Sequence, residues 1–191
     1  KFNIDAKANL AEIISIVSNL RGEAFARDIK GAFVVCIFDE KNQNIRAYKD
    51  HLGQKPFFFS KVNSSLVFAT DIKQIVDLGL KEYSLNRRRI IYFLTYLCGP
   101  HSETFFKNIF RLPARNRLLV SNESIEIEEY FQFKDTKIEK KDDEIIKELR
   151  QILEKAIFNN LPQKKVASKL SGGLDSSTIS AILLKKRGKK N

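Results

Sequence analysis

The 191-residue sequence has few cysteines and histidines, and it contains no methionine and no tryptophan. Cys36 and Cys98 are too few for a disulfide framework and stand in no CxxC or His-containing metal-ligand spacing. Cys36 lies in an apolar run, which predicts a small buried side chain and not a nucleophile. His51 and His101 are isolated, so we expect no histidine-based catalytic group. These shortages exclude a disulfide-stapled scaffold and favour a reducing compartment.

Long apolar stretches are also missing. No run approaches the roughly 20 residues of a membrane-spanning helix, and residues 1–5 lack the apolar core of a signal peptide. We therefore expect a globular, cytoplasmic protein with no membrane role. Because the chain begins with Lys1, contains no Met and stops shortly after a helix that opens a new domain, we also expect it to be a fragment.

The charge is unbalanced, since 34 Lys and Arg against 23 Asp and Glu give a net charge of +11. An excess of positive charge favours binding to phosphate backbones. The basic residues are, however, scattered among acids, with local runs only at 87–89 and 185–190 and no recognised nucleic-acid module. We expect no nucleic-acid partner, and a basic binding module or truncated remnant stays as the non-enzymatic alternative.

Apolar spacing predicts the elements of the first two thirds of the chain. A helix is expected over 9–20, where apolar residues recur on one face and Gly22 ends the pattern. Residues 30–79 are predicted to form an antiparallel meander that leads into a short helix at 71–78. Its strands are apolar on both faces, most plainly at residues 57–59, so something must cover each face. A helix at 84–97 and a hairpin of 118–120 with 125–128 follow.

The composition changes at residues 135–143, which are nearly all charged or polar and predict a linker. We therefore divide the chain into domains 1–134 and 135–191. The second domain is expected to open with a long amphipathic helix from Asp142, followed by a strand at 166–170, a loop and a second helix. This order is typical of the first unit of a parallel α/β sheet.

The loop between that strand and helix is Ser171-Gly172-Gly173-Leu174-Asp175-Ser176-Ser177. Adjacent glycines let a ligand approach the backbone closely, and hydroxyls with the amides of a helix N-terminus present donors to an anion. The pattern predicts a phosphate cradle that is neither a P-loop nor a dinucleotide GxGxxG motif. Asp175 beside phosphates requires a cation between them, so it is predicted to hold Mg²⁺.

The loop at 171–177 resembles the pyrophosphatase loop of the asparagine synthetase family, and the chain upstream is similar to that family as well. Gly31-Ala32-Phe33 with Ile37-Phe38-Asp39 is similar to its Gly-x-Phe-Ala-Phe-x-x-x-Asp strand. Residues 50–56 resemble its Arg-Asp-x-x-Gly-x-x-Pro segment, and residues 68–73 resemble its Phe-Ala-Ser-Glu-x-Lys segment. Residues 106–113 and 129–131 resemble the passage that joins its two domains. The resemblance therefore covers essentially the whole chain.

The resemblance implies an α+β domain followed by an α/β domain. The first would be part of an N-terminal-nucleophile-type amidotransferase sandwich that hydrolyses glutamine. The second would be the first strand, loop and helix of an adenine nucleotide α-hydrolase-like parallel sheet, which adenylates a carboxylate and releases pyrophosphate. The implied ligands are ATP, Mg²⁺, aspartate or another carboxylate, and glutamine or ammonia; a homodimer is one option for the assembly.

Carried over position by position, the resemblance assigns ATP and pyrophosphate binding to the loop, and Mg²⁺ to Asp175. The loop residues concerned are Leu170, Ser171, Gly172, Gly173, Asp175, Ser176 and Ser177. No catalytic residue is assigned, because the family's nucleophile is a Cys at the mature N-terminus and residue 1 here is Lys.

Several positions depart from the family pattern. Where the family carries an Asp that holds the substrate's amino group, two residues before Glu12, this chain has Leu10. Lys49 replaces the usual Arg before Asp50, and Lys169 stands where an apolar residue is usual. Leu10 favours the alternative of a specialised amidoligase or lasso-peptide-type cyclase with an inactive glutaminase domain.

Overall fold

The structure is a computed structural model that describes residues 9–121, 124–162 and 166–187. The chain separates into two compact units, residues 1–134 and residues 135–191. None of the helices in the described part combines the length and the apolar character needed to cross a bilayer.

The first unit opens with helix α1, Leu10–Arg21, where the sequence predicts a helix. A capping box starts it: the Glu12 amide donates to Asn9 Oδ1, and the Asn9 amide donates to Glu12 Oε2, both at 3.0 Å. These bonds use two of the amides that a helix start leaves without partners. A 3₁₀ turn at Gly22–Ala24 and the short helix α2, Phe25–Asp28, follow; the spacing of apolar residues did not predict them.

In the described part of this unit, seven strands form two antiparallel sheets. The four-stranded sheet has the order β1-β2-β6-β7 and the three-stranded sheet the order β4-β3-β5. The strands are β1 Val34–Asp39, β2 Asn44–Lys49, β3 Phe58–Val62, β4 Ser65–Ala69, β5 Phe110–Arg111, β6 Asn116–Val120 and β7 Ile125–Glu129. Helices α3, Ile72–Asp77, and α4, Arg87–Leu94, lie between β4 and β5 in the chain.

Three apolar clusters show how these elements are layered. Ala47 and Leu118 of the four-stranded sheet pack with Phe57, Phe59 and Leu112 from the three-stranded sheet and the residues flanking it. The outer face of the first sheet meets α1 and α2, and that of the second meets α3. The result is a helix, sheet, sheet, helix sandwich, and the cover that the apolar strands required is present on each face.

The predicted hairpins are present, but the continuous meander is wrong. Strand β2 pairs with β6, starting at Ile45 opposite Val120, and β3 pairs with β4 and β5 in the other sheet. The chain changes sheets at the turn after Asp50, because two half-apolar sheets bury more surface when stacked than one extended sheet does. The helix predicted over 84–97 is shorter, Arg87–Leu94, and ends where Tyr96 adopts φ +56°.

Cys36 is exposed, so the prediction of a buried cysteine is wrong. It lies on β1, an edge strand of the four-stranded sheet, where cover is incomplete. Neighbouring groups still desolvate the thiol and raise the pKa of Cys36 to about 11. This disfavours the thiolate, which is the form in which a cysteine acts as a nucleophile.

The second unit contains helices α5, Asp142–Asn159, and α6, Leu174–Arg187. Both helices were predicted. Three acidic residues occupy the first turn of α5, where their negative charges interact favourably with the positive end of the helix dipole. The strand predicted at 166–170 is wrong, since these residues have no regular structure. A parallel strand requires a neighbour, and the described part of this unit offers none. A nucleotide-hydrolase-like sheet therefore stays a prediction.

Candidate functional site

Residues 171–173 lead directly into α6, a helix of 14 residues whose first turn contains the rest of the 171–177 loop sequence. Gly172 has φ +84°, a left-handed conformation that side chains other than glycine's rarely adopt. Gly173 does not need a positive φ, and a Cβ placed there would meet only Ser171 Oγ, at 3.6 Å. The first glycine is therefore required by the turn itself, whereas the second leaves open space above the loop.

Serine hydroxyls tie the loop together. Ser171 Oγ and Ser176 Oγ are 2.9 Å apart, the Ser171 amide donates to Ser176 Oγ at 3.3 Å, and Ser176 Oγ donates to the Gly173 carbonyl at 3.1 Å. The Ser177 amide also donates to the Gly173 carbonyl, at 3.1 Å. These hydrogen bonds curl the loop over the start of α6.

The donors of this loop suit an anion. Within the described part of the chain, the amides of Gly172, Gly173 and Leu174 donate to no backbone carbonyl. They stand at the positive end of the α6 dipole, where phosphate is favoured.

Asp175, exposed in the first turn of α6, would repel a phosphate unless a cation lay between them. The described residues form no cluster of three metal-ligating side chains. Asp175 is the carboxylate that the loop offers to a cation, and Mg²⁺ commonly takes one or two carboxylates and completes its shell with phosphates and water.

The structure brings together some of the predicted site residues but not all of them. Ser171, Gly173 and Ser176 form one hydrogen-bonded group. Leu170 and Leu174 are exposed, and neither contributes a polar contact. Sequence reasoning missed Ser168 and Ser180, whose hydroxyl oxygens are 2.7 Å apart and join the segment before the loop to α6. The signal for Ser180 was its position one helical turn after Ser176, whereas Ser168, beside Lys169, had no comparable signal.

In the first unit, the segment at 50–53 has a structural role. The amides of Leu52, Gln54 and Lys55 donate to the Asp50 carboxylate at 3.2, 2.9 and 2.9 Å. Burial by itself raises the pKa of Asp50, but these amide donors outweigh it and the pKa is lowered. Asp50 therefore folds the turn that moves the chain from one sheet to the other.

Leu10, the position that departs from the family pattern, is the first residue of α1 and is 72% exposed. Both carboxylate oxygens of Glu12 accept hydrogen bonds from Asn9, at 3.0 Å each. The neighbourhood thus caps a helix, and Leu10 itself cannot hold an amino group by charge.

The architecture of the first unit agrees with comparisons to known proteins. The family model described as a glutamine amidotransferase domain matches residues 7–131. The chain therefore belongs to the glutamine amidotransferase domain family. Similar proteins that carry the name asparagine synthetase [glutamine-hydrolyzing] align with most of its length, so the likeness to these proteins extends beyond the amidotransferase domain.

Three relatives illustrate this likeness. A putative asparagine synthetase 2 of Methanocaldococcus jannaschii is 30% identical over 192 residues, covering 96% of this chain and 37% of its own length. Asparagine synthetase 3 of Bacillus subtilis is 30% identical over 158 residues, covering 81% and 25%. Amidase chry2 of Gibberella zeae is 28% identical over 179 residues, covering 90% and 26%. The chain thus spans between a quarter and two fifths of the length of these relatives.

Proposed function

We propose that the chain is part of an ATP-dependent amide-forming ligase of the asparagine synthetase type. In this reaction aspartate, glutamine and ATP give asparagine, glutamate, AMP and pyrophosphate. The amidotransferase family of residues 7–131 supports the glutamine-hydrolysing half. The observation that carries the ATP-dependent half is the loop at 171–177, with its left-handed Gly172, its serines and the helix start behind it.

Each loop residue has a role in this proposal. The amides from Gly172 onward and the hydroxyls of Ser171, Ser176 and Ser177 hold the β- and γ-phosphates, and Leu170 borders the site. Asp175 would hold Mg²⁺, and the bound ion would supply positive charge to the phosphates. Bound ATP supplies the AMP group that activates the carboxylate, and the protein's contribution is to hold the pyrophosphate part in place and orient it.

Substitution of Gly173 tests the cradle. Gly173→Ala adds a methyl group that only touches Ser171 Oγ at an ordinary distance, so folding should be unaffected. The same methyl group would occupy space that the phosphates need, and ATP·Mg²⁺ affinity measured by calorimetry should fall at least about tenfold. Unchanged affinity in the folded variant would show that the phosphates do not approach this backbone.

Asp175→Asn tests the metal assignment. Affinity for ATP in EDTA should match or exceed that of the unsubstituted protein, because the repulsion between the Asp175 carboxylate and the phosphates is removed, while the gain on adding Mg²⁺ should disappear. Asp142→Asn is the matched control, because Asp142 also stands in the first turn of a helix, α5. Equal losses in both variants would assign the effect to helix-terminal charge and not to a metal ligand.

A second candidate function is favoured by one observation, the exposed Leu10 at the position where a substrate-holding carboxylate is expected. In that case the protein is an amidoligase or cyclase whose glutaminase domain is inactive. The intact protein should be assayed with ATP, Mg²⁺, aspartate and glutamine by mass spectrometry. Asparagine, glutamate, AMP and pyrophosphate appearing together support the synthetase. ATP cleavage with another amine acceptor and no glutamate supports the amidoligase.

A further inference from the structure

A cavity of about 400 Å³ lies within the first unit, and its wall includes no residue of the loop at 171–177. Lys49 at the end of β2 and Arg111 at the end of β5 contribute to its wall, together with His101 and Arg115. The turn folded by Asp50 brings these residues together, because the Arg115 amide donates to the Asp50 carbonyl at 3.1 Å. Residues from three separate parts of the sequence thus meet around one space.

The wall of this cavity is basic and includes no acid. Glu129 neutralises Arg115, with Arg115 Nε 3.1 Å from Glu129 Oε1. Within the described part of the chain, neither Lys49 nor Arg111 forms a salt bridge. Two positive charges therefore remain without a paired carboxylate.

The surroundings of Lys49 make this arrangement costly. The residue is only 3% exposed, and its ammonium donates to the carbonyl of Leu112 at 2.9 Å. Burial lowers the pKa of Lys49, and repulsion from Arg111 lowers it further, while Asp50 partly compensates. The oxygens of Asp50 are themselves engaged by three backbone amides. A buried cation is normally paired, and here a second cation faces the same space.

Arg111 is exposed, and its guanidinium group contacts an aromatic ring of the core. Its guanidinium carbon lies 5.5 Å from the centre of the Phe58 ring, a cation–π contact that leaves the nitrogen donors for another partner. Guanidinium and ammonium groups on one cavity wall concentrate positive potential and attract an oxyanion.

We propose that this cavity binds a small oxyanion, a carboxylate or phosphate group, between Lys49 and Arg111. The inference does not depend on the proposed ligase reaction, because it uses none of the residues of the loop at 171–177. The bound anion would supply the negative partner that no carboxylate provides to Lys49 and Arg111.

Histidine NMR provides a direct readout. The chain has two histidines, His101 in the cavity wall and His51, whose ring packs 4.0 Å from the ring centre of Phe131. Sodium phosphate or sodium acetate is titrated against sodium chloride at constant pH and ionic strength, so that general screening is held fixed. The His101 resonance should shift saturably with at least one of the two anions, while His51 stays unchanged as the internal reference.

Variants identify the cations responsible. Arg111→Gln should weaken binding about tenfold, as expected for one charge-assisted hydrogen bond, and Arg111→Lys should retain most of it. Arg87→Gln removes the same charge from the exposed start of α4 and should leave binding unchanged. Lys49→Gln provides a second test if tyrosine fluorescence shows that it folds; Arg111→Gln suffices if it does not.

The outcomes separate clearly. Saturation by phosphate alone assigns a phosphate ligand, and saturation by acetate alone assigns a carboxylate ligand; both support the proposal. No saturable shift with either anion overturns it, as do equal losses in Arg111→Gln and Arg87→Gln, which would show general electrostatic attraction only.

Discussion

Asp50 is a fully buried carboxylate, 1% exposed, that is stabilised by backbone amides and not by a salt bridge. Each amide-to-carboxylate hydrogen bond is charge-assisted and therefore stronger than a neutral one. The turn that Asp50 folds also positions Lys49 and Arg115. Asp50 thus shapes both the turn that connects the two sheets and the wall of the cavity between Lys49 and Arg111.

Asp50→Asn should destabilise the first unit at pH 7 by about 2 kcal/mol, since an amide nitrogen replaces an acceptor facing the backbone amides. The folded-state pKa of Asp50 is lowered, so its stabilisation is present above the unfolded value of about 3.9 and is lost as pH falls through the folded value. The difference between the two proteins should therefore shrink below pH 4.

Urea unfolding followed by tyrosine fluorescence measures this difference, because all five tyrosines lie in residues 1–134 and tryptophan is absent. Asp77→Asn is the control, an exposed aspartate at the end of α3 where loss of the charge should cost nothing. A difference that stays constant from pH 7 to pH 3 would exclude an ionised Asp50 as the cause.

At the scale of elements, the turns decide how strands and helices meet. Gly53 follows Asp50 and has φ +68°, and Gly79 follows α3 and has φ +62°. The backbone conformations are alike, but the surroundings differ. A Cβ on Gly53 would lie 2.9 Å from Ala114 Cβ, whereas a Cβ on Gly79 would meet no atom within 4 Å.

Comparing substitutions at these two glycines separates the cost of backbone strain from the cost of steric overlap. Gly79→Ala should cost about 1 kcal/mol, the expected penalty for a side chain in the left-handed region. Gly53→Ala should cost a further 1–3 kcal/mol or so, because the turn must move away from Ala114. Equal losses in urea unfolding would mean that the contact with Ala114 relaxes freely.

At the scale of the whole molecule, the two units differ in how much apolar surface they bury. The first contains three clusters of buried side chains. In the second, α5 has no buried residue, and Ile146, Leu149 and Ile152 are each more than half exposed. Since helical stability comes mainly from packing of the apolar face, the second unit should open more readily in the 191-residue chain.

Hydrogen exchange of this chain should therefore show residues 30–131 to be more strongly protected than residues 140–187. The slowest amides are expected in β2 and β6, whose strands are central in their sheet. Peptide-resolved mass spectrometry measures the difference. Uniform protection across 140–187, equal to that of the sandwich, would contradict the prediction.

Much of this protein follows from local pattern. Apolar spacing predicted α1, and apolar runs separated by polar turns predicted the hairpins of β1 with β2, β3 with β4 and β6 with β7. The loop at 171–177 was recognisable because its glycines and serines are adjacent in the chain. Such features depend on residues a few positions apart, so the sequence alone determined them.

Other features were decided only by the tertiary structure. The pairing of β2 with β6 joins residues about seventy positions apart, and no local signal distinguishes it from pairing with β3. Cys36 became exposed because β1 lies at an edge, and residues 166–170 formed no strand because the described unit provides no neighbour. Lys49 and Arg111 meet only after both sheets have stacked. Each outcome depends on long-range contacts whose free energy a short sequence pattern does not contain.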